Sequence, residues 1–326
     1  MLHIQNETKQ LTELVDFGSN PGCLGSYIYI PTGLEKDSPL VVVLHGCDQT
    51  AESYNRGSGW SELAEEYRFI VLFPEQQKSN NRTLAFNWFR MADLDQGDFE
   101  AKSIRQMIQK VSLENAVDLS KIYITGLSAG GAMTSAILAV YPDVFAGAAI
   151  IAGLPYGRAN TLLGAYWLMQ GWELPWEAYL DKPLKMPKNH PEGRPSISVW
   201  QGSHDRVVSP SNADAIVRQW QTAHDLCRSP TRTDEVSGFT RRVWCNGDGR
   251  ELIEQFIIPD MGHGAPLDVA SGQGGEAAGD YMLDIGISST RQISQFWGIC
   301  QGTTLAIPEI TPDHDASRAL ECALQG

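Results

Sequence analysis

Short apolar runs rich in β-branched residues alternate with longer amphipathic stretches along most of this chain. The short runs are bounded by glycine, proline and polar turn residues, which is typical of buried strands, whereas the longer stretches repeat with helical periodicity. The predicted strands are Ser26–Ile30, Leu40–Leu44, Ile70–Phe73, Ile122–Thr125, Ala146–Ile151, Ile197–Gln201 and Leu252–Ile258. The predicted helices are Trp60–Tyr67, Phe99–Val111, Gly131–Val140, Ser211–Ala223 and Thr290–Trp297. Strands that alternate with helices predict a mainly parallel central sheet with helices on both faces, in the order of an α/β-hydrolase fold.

Residues 153–195 interrupt this alternation between two predicted strands. The interval is rich in aromatic residues and prolines, and it is too long for an ordinary connection. It predicts an aromatic-rich cap or lid over a site, although a small satellite core of buried aromatic side chains fits the same composition. We therefore expect a single α/β-hydrolase domain over 1–326, with a cap insertion at 153–195. Residues 301–326 have weak periodicity and are expected to form a surface-packed or partly flexible tail.

The chain has 326 residues, 42% of them hydrophobic, and a net charge of −14. This length can bury a full core. The negative charge repels nucleic-acid phosphates and anionic lipid, so neither nucleic acid nor a membrane is an expected partner. No apolar stretch is long enough to span a bilayer. The N-terminus lacks the basic and apolar regions of a secretory signal, which favours a cytoplasmic location unless a leader has been removed. The pattern does not predict an oligomeric state.

Six cysteines, at positions 23, 47, 227, 245, 300 and 322, lack the spacing of a metal motif. No metal site is therefore expected. Cys227 and Cys245 flank a polar stretch that is expected to be a loop, and they could form a disulfide, as could Cys300 and Cys322. Free thiols are the alternative for all four.

A serine flanked by glycines lies at the junction of a predicted strand and a predicted helix. The segment reads Gly126-Leu127-Ser128-Ala129-Gly130. Its glycines allow a strained turn that lifts the serine hydroxyl out of the sheet, as in a nucleophile elbow. Ser128 is therefore predicted to be a nucleophile. A serine that only caps the following helix is the alternative.

A serine nucleophile needs a base and an acid that orients the base, and in this fold they follow in the order nucleophile, acid, histidine. His263 lies in a glycine-flanked turn after the last predicted strand, at the sheet edge where a base is needed. Asp205 follows the strand that ends at Gln201 and is the predicted acid. His190 and His224 are interpreted as solvated side chains, and His314 lies in the tail. His204 is interpreted as a polar turn residue, with a supporting or substrate contact as the alternative.

Two backbone amides are needed to stabilise the oxyanion that forms when an acyl carbon is attacked. The amide after the nucleophile, that of Ala129, supplies the first. The second is expected from the loop after the strand that ends at Leu44, and we assign it to the amide of Cys47. Nucleophilic attack by the Cys47 thiol is the alternative, but no paired base is evident for it.

Five short segments form a more specific set than the serine motif alone. They are Leu44-His45-Gly46-Cys47-Asp48-Gln49, Gly57-Ser58-Gly59-Trp60, Leu72-Phe73-Pro74-Glu75-Gln76, Phe86-Asn87-Trp88-Phe89 and Gly126-Leu127-Ser128-Ala129-Gly130-Gly131. Together they resemble the polyhydroxybutyrate (PHB) depolymerase family of esterases, which is related to the feruloyl and acetylxylan esterases of carbohydrate esterase family 1. The resemblance implies a cofactor-free α/β-hydrolase with a triad of Ser128, Asp205 and His263. It also implies oxyanion donation by the amides of Cys47 and Ala129.

The resemblance further implies a serine carboxylesterase that hydrolyses a hydroxyalkanoate polyester or oligoester of the PHB type through an acyl-enzyme. A feruloyl or acetylxylan esterase that acts on plant cell-wall esters is the alternative, and a non-catalytic binding protein of this fold is the third reading. The expected partner is thus an ester substrate. Expected substrate contacts come from the loop that follows Leu44 and carries Cys47, here called the oxyanion loop, from the Asn-Trp motif and from the cap. They are His45, Asn87, Trp88, Tyr156, Trp167, Trp172 and Trp176. An aromatic-lined groove suits either an apolar polyester chain or a feruloyl ring.

Overall fold

Ten strands form a single sheet in this computed structural model, which describes residues 9–92, 99–172, 184, 195–272 and 275–300. In chain order they are β1 (Thr12–Glu13), β2 (Gly25–Tyr29), β3 (Ser38–Leu44), β4 (Ile70–Glu75), β5 (Val117–Leu127), β6 (Gly147–Ile151), β7 (Ser196–Gly202), β8 (Arg232–Val236), β9 (Phe239–Cys245) and β10 (Glu251–Ile258). Their order across the sheet is β1-β2-β4-β3-β5-β6-β7-β10-β9-β8. In that order, the six neighbouring strands β4-β3-β5-β6-β7-β10 are parallel to one another, and the pairs at both edges of the sheet are antiparallel. The predicted mainly parallel sheet is therefore confirmed.

Helices cover both faces of this sheet, as the sequence predicts. They are α1 (Ala51–Ser58), α2 (Trp60–Tyr67), α3 (Phe99–Glu114), α4 (Ala129–Val140), α5 (Leu162–Met169), α6 (Ser211–His224) and α7 (Ser289–Phe296). Strand β3 contributes to both hydrophobic cores: Leu40 and Val42 pack with α3, α4 and α6, whereas Val41 and Val43 pack with α1, α2 and α7. Successive side chains of a strand point to opposite faces, so one apolar strand serves two layers. Two further strands, β11 (Ala265–Leu267) and β12 (Met282–Asp284), form a small parallel pair.

Helix α1 is absent from the sequence prediction, whereas α2 has the predicted bounds. The reason is that α1 has few apolar residues, so it shows little helical periodicity. Its start is fixed instead by a capping box. The side chain of Thr50 accepts the backbone N–H of Ser53, and the side chain of Ser53 accepts the backbone N–H of Thr50.

The stretch between Cys227 and Cys245 contains β8 and β9, so its interpretation as a loop is wrong. Its polar side chains pair across the edge of the sheet. Arg241 of β9 contacts both Glu251 and Glu254 of β10. An edge strand keeps polar residues on its solvent side and carries few apolar ones, so its pattern does not stand out in the sequence.

Cys227 is disulfide-bonded, whereas Cys245 and Cys300 are free thiols. The pairings considered from the sequence, Cys227 with Cys245 and Cys300 with Cys322, are therefore wrong. A disulfide requires the two Cα atoms to lie within about 7 Å of each other. The distance between two cysteines along the chain does not determine that separation.

The loops after β3, β5, β7 and β10 all leave from the carboxyl ends of parallel strands. They carry Cys47, Ser128, Asp205 and His263. Because the carboxyl ends of parallel strands meet at one edge of a sheet, residues distant in the sequence converge there. The single domain and the cap remain predictions, since residues 173–183, 185–194 and 301–326 lie outside the described ranges. No helix in the described ranges combines the length and the apolar character needed to cross a bilayer.

Candidate active site

Ser128 lies on a sharp turn between β5 and α4. Its backbone has φ 56° and ψ −116°, and a positive φ is uncommon for any residue other than glycine. A Cβ atom added to Gly126 would lie 2.4 Å from the carbonyl of Gly130, and one added to Gly130 would lie 2.4 Å from the carbonyl oxygen of Leu44. Only glycine fits at these two positions, so the start of α4 packs directly against β5 and β3. This packing holds the Ser128 hydroxyl at the carboxyl edge of the sheet.

The Ser128 hydroxyl contacts the imidazole of His263. Ser128 Oγ lies 2.9 Å from His263 Nε2, and His263 Nδ1 lies 2.7 Å from Asp205 Oδ2. A carboxylate can only accept a hydrogen bond, so Nδ1 carries the ring proton and Nε2 is free to accept the proton of the serine. The structure thus brings together the three side chains that the sequence analysis selected. The Ser128 side chain makes no capping hydrogen bond to α4, so the helix-cap alternative is wrong.

Asp205 is buried, and both of its carboxylate oxygens are occupied. Oδ1 accepts the N–H groups of Val207 and Val208, each at 2.8 Å. Oδ2 accepts from His263 and, at 2.9 Å, from Nε2 of Gln201. Burial by itself raises the pKa of Asp205, but the hydrogen bond and charge of His263 together with the two amides outweigh burial and lower it. The group therefore stays an ionised acceptor that orients the imidazole.

The amides of Cys47 and Ala129 lie beside Ser128, and both residues line the same cavity as the serine. Among the residues that the structure describes, neither N–H donates to another residue's backbone. Ala129 begins α4, where backbone N–H groups lack partners inside the helix and the helix dipole favours negative charge. The loop that carries Cys47 is held by Gln49, whose Oε1 accepts the N–H of Gly46 at 2.9 Å. Two such amides beside the Ser128 hydroxyl are available to stabilise an oxyanion.

His45 hydrogen-bonds to the backbone of this loop and does not line the cavity. Its side chain is buried, its Nδ1 lies 2.7 Å from the carbonyl oxygen of Gly46, and its Nε2 accepts the backbone N–H of Gln76 at 3.1 Å. Burial lowers the pKa of His45 to about 4, so the ring is neutral at neutral pH. Both ring nitrogens are therefore used within the protein, and the expected substrate contact of His45 is not supported.

A cavity of about 680 Å³ opens beside Ser128. This volume lies within the usual range of sites for small organic ligands. Most of the lining side chains are apolar; they include Phe86, Trp88, Phe89, Leu154, Leu162, Leu163, Ala165, Tyr166 and Met169. Several of them come from α5, at the spacing that places residues on one face of a helix. An apolar group that enters this cavity would be removed from water next to the Ser128 hydroxyl.

Of the residues predicted from the Asn-Trp motif, Trp88 lines the cavity and Asn87 does not. Asn87 turns toward α3, where its Nδ2 donates to Glu100 at 2.6 Å. Tyr156 lies in the core instead of the cavity wall, and its backbone exchanges two hydrogen bonds with the side chain of Gln219. Substrate contacts by Asn87 and Tyr156 are therefore not supported.

The cap tryptophans do not fulfil the prediction either. Trp167 and Trp172 contact each other, with ring centroids 4.7 Å apart, and neither lines the cavity. The neighbouring α5 residues Leu163 and Tyr166 line the cavity instead. Trp176 lies outside the described residues.

A buried carboxylate that sequence reasoning missed connects the cavity wall to the oxyanion loop. Glu100 Oε1 accepts from the side-chain amides of Gln76 and Asn87, and its Oε2 accepts the N–H of Asn87. The backbone of Gln76 in turn donates to His45. Burial raises the pKa of Glu100. An acidic residue in the first turn of a helix is common on protein surfaces, so nothing in the sequence marks Glu100 as buried.

Replacing Glu100 with alanine is expected to lower the free energy of unfolding by about 3 kcal/mol, because buried donors on Gln76 and Asn87 lose their acceptor. Urea unfolding followed by tryptophan fluorescence measures the change. The matched control is Glu52→Ala, which removes an exposed ion pair with Arg56 and should cost less than about 0.5 kcal/mol. Equal losses in the two variants would contradict a structural role for Glu100.

Gln201 is a second contact that escaped sequence reasoning. It donates to the carboxylate of Asp205 from a position four residues earlier, at the end of β7. The signal available was one amide side chain near the end of an otherwise largely apolar strand. That signal is weak, because a glutamine at a strand end is ordinary without the tertiary contact.

Comparisons with known proteins point to ester hydrolysis. The sequence profile of the family described as esterase PHB depolymerase matches residues 24–234. Poly(3-hydroxyalkanoate) depolymerase C from Paucimonas lemoignei is 41% identical over 292 residues, which cover 89% of this chain and 70% of that protein. Feruloyl esterase B from Talaromyces funiculosus is 29% identical over 272 residues, which cover 80% of this chain and 74% of that protein.

Among solved structures, the acetyl xylan esterase from Aspergillus awamori superposes with a TM-score of 0.70 at 23% identity, covering 90% of this chain and 100% of that one. At this identity the likeness supports the fold. The profile match and the identity to the depolymerase both extend over more than half of the sequence. The chain therefore belongs to the esterase PHB depolymerase family of carboxylic ester hydrolases.

Proposed function

We propose that this protein is a serine esterase that cleaves hydroxyalkanoate oligoesters or polyesters through an acyl-enzyme on Ser128. The observation that carries the proposal is the continuous hydrogen-bonded chain from Ser128 through His263 to Asp205 at the mouth of an apolar cavity. A binding protein would not need all three groups in contact. The geometry supports nucleophilic catalysis in which each side chain has a distinct role.

Acylation begins with the transfer of the Ser128 proton to Nε2 of His263 as Oγ attacks the ester carbonyl carbon. The carbonyl oxygen gains negative charge and is stabilised by the N–H groups of Cys47 and Ala129. The ionised Asp205 stabilises the imidazolium that forms. The imidazolium then donates its proton to the alcohol oxygen as that bond breaks, which leaves the acyl group on Ser128.

Deacylation repeats these steps with water as the nucleophile. His263 accepts a proton from water, the hydroxide equivalent attacks the acyl carbon, and the carboxylic acid leaves as Ser128 regains its proton. No redox or group-transfer partner is required. The thiol of Cys47 has no part in this scheme, and burial raises its pKa, which disfavours the thiolate that a nucleophilic cysteine needs.

The choice of a hydroxyalkanoate substrate rests on the relative and on the cavity. The relative that is 41% identical is named poly(3-hydroxyalkanoate) depolymerase C. The cavity is mostly apolar, which suits aliphatic ester units. Trp88 and Phe89 lie in its wall with their rings 5.8 Å apart in an edge-to-face arrangement, and this aromatic wall favours a feruloyl ester as the second candidate.

Initial rates on a 3-hydroxybutyrate oligomer, methyl ferulate and acetylated xylan distinguish the candidates. We expect the oligomer to be hydrolysed with the highest kcat/KM, by about tenfold or more. Fast ferulate release beside negligible oligomer turnover would replace the proposal with the second candidate. In parallel, a fluorophosphonate probe should label the wild-type protein at Ser128 and fail to label Ser128→Ala. An unlabelled wild-type protein would favour the non-catalytic reading.

A further inference from the structure

Two cavities of very different size meet at Ser128. The larger one, of about 680 Å³, contains the serine and both oxyanion amides. The smaller one, of about 70 Å³, is lined by Gly46, Cys47, Leu127, Ser128, Met169, Val207, His263 and Tyr281. Ser128, Cys47 and Met169 belong to both. Of the described residues, His263 lines the smaller cavity and does not line the larger one.

The position of His263 fixes which part of an ester enters which cavity. When the tetrahedral intermediate collapses, the imidazolium must donate its proton to the departing alcohol oxygen. That oxygen and its substituents must therefore lie on the side of Ser128 that contains His263. The acyl chain leaves the same carbon atom in another direction, away from the imidazole and past Ala129.

We propose that the 70 Å³ cavity is the alcohol subsite and the 680 Å³ cavity the acyl subsite, and that Val207 and Tyr281 limit the size of the alcohol. This inference rests on the proposed esterase function and names the substrate class of that same site. The favoured esters combine a bulky apolar acyl part with an alcohol carbon that carries one small substituent.

The volume of the smaller cavity sets the limit on that substituent. The smaller cavity, at about 70 Å³, has about one tenth of the volume of the larger one, at about 680 Å³. A short alkyl group is therefore expected to fit the smaller cavity better than a long one. Val207 and Tyr281 are 40% and 41% exposed, so the smaller cavity borders solvent at these two residues, and a second substituent on the same carbon atom would continue there.

This arrangement matches a chain of ester units. Each alcohol carbon in a poly(3-hydroxyalkanoate) carries one side group and one continuing chain. The side group would occupy the smaller cavity while the chain continues past Val207 and Tyr281. The proposed assignment thus favours polyesters with short side groups over those with long ones.

The backbone of Tyr281 is fixed beside the residues of the candidate triad. Its carbonyl oxygen accepts the N–H of Ala265 at 2.8 Å, which joins it to the loop of His263. The preceding residue, Asp280, accepts at 3.3 Å from Gln49, the residue that also holds the oxyanion loop. The Tyr281 ring meets the His263 ring edge-on, with centroids 5.8 Å apart. Tyr281 is therefore connected to both halves of the catalytic machinery.

Two isomeric esters test the alcohol limit. 2-Heptyl butyrate has a methyl group on one side of its alcohol carbon, whereas 4-heptyl butyrate has propyl groups on both sides. Their hydrophobicity is matched, so solubility and nonspecific binding cancel. We expect kcat/KM to be at least about tenfold higher for the 2-heptyl isomer, since a pocket that excludes extra methylenes discriminates by this order.

Variants of Val207 and Tyr281 test whether these two residues limit the size of the alcohol. Val207→Ala and Tyr281→Gly should lower the 2-heptyl to 4-heptyl ratio of kcat/KM by about fivefold or more, because each widens the smaller cavity. Glycine is chosen at position 281 because the backbone there has φ 61°. The matched control is Leu163→Ala, which truncates an exposed apolar side chain of the larger cavity. It should alter the ratio of ethyl octanoate to ethyl butyrate and leave the heptyl ratio unchanged.

Three outcomes would overturn the assignment of subsites. They are a wild-type heptyl ratio near unity, a heptyl ratio that Leu163→Ala moves, or an unchanged heptyl ratio in both Val207→Ala and Tyr281→Gly. All three presuppose ester turnover, so they leave the proposed esterase function intact. Failure of that function has a different signature: no ester is hydrolysed and Ser128 is not labelled by a fluorophosphonate.

Discussion

Ser128→Ala should abolish ester hydrolysis, with kcat lowered by roughly 10⁵- to 10⁶-fold, the order seen when the nucleophile of a triad is removed. The variant has no alcohol to form the acyl-enzyme, and Nε2 of His263 loses the hydroxyl that lies 2.9 Å away. The residual rate would come from the oxyanion amides and the cavity alone. Rates on a 3-hydroxybutyrate oligomer, measured by pH-stat titration, give the loss directly.

The fold should survive this substitution. Alanine and serine meet the same steric demand at φ 56°, so the strain of the turn is unchanged, and the hydroxyl makes no capping bond to α4. Circular dichroism and the urea midpoint should therefore match those of the wild-type protein. A correctly folded Ser128→Ala protein that retains activity within about tenfold of wild type would remove Ser128 from the mechanism.

Asp205→Asn should lower kcat by about 10⁴-fold, the order expected when the orienting acid of a triad becomes an amide. The carboxylate accepts from His263 Nδ1, which keeps the proton off Nε2. An asparagine can present its NH₂ group to Nδ1, and the ring then carries its proton on Nε2, where it cannot accept from Ser128. The exposed Asp248→Asn makes the same chemical change far from the site and should keep wild-type kcat.

The same substitution should change the pH dependence of stability. The pKa of Asp205 is lowered in the folded protein, so its ionised form contributes stability above its unfolded pKa, near 3.9. That contribution is lost as the pH falls below this value and through the lower folded pKa. We expect the free energy of unfolding to fall less steeply with acidification in Asp205→Asn than in wild type. Equal slopes would show that Asp205 is not held as an ionised group.

The chain order of the candidate triad could be read from the sequence because it depends on local patterns and one topological rule. Ser128 follows an apolar strand and begins a helix, and Asp205 and His263 each follow a predicted strand. Parallel strands bring their carboxyl ends to one edge, so their positions along the chain suffice to predict a meeting point. The sequence pattern does not give the distances themselves, which are 2.9 Å between Ser128 Oγ and His263 Nε2 and 2.7 Å between His263 Nδ1 and Asp205 Oδ2.

The antiparallel edge of the sheet could not be read in the same way. Strands β8 and β9 carry charged side chains whose burial depends on partners in β10, as Arg241 shows with Glu251 and Glu254. A pattern based on apolar residues does not detect a strand that is stabilised in this way. The pairing of the cysteines failed for a related reason, because it depends on Cα separations in space.

The sequence by itself determined the layered α/β architecture, the strained turn at Ser128 and the strand ends that carry Asp205 and His263, since hydrophobic periodicity and glycine placement act over short stretches of chain. The tertiary structure alone decided which side chains form the two cavities. It placed Trp88, Tyr166 and Tyr281 around Ser128 and turned Trp167 and Tyr156 away. An aromatic residue is equally apolar in a cavity wall and in a core, and only packing against distant elements chooses between them.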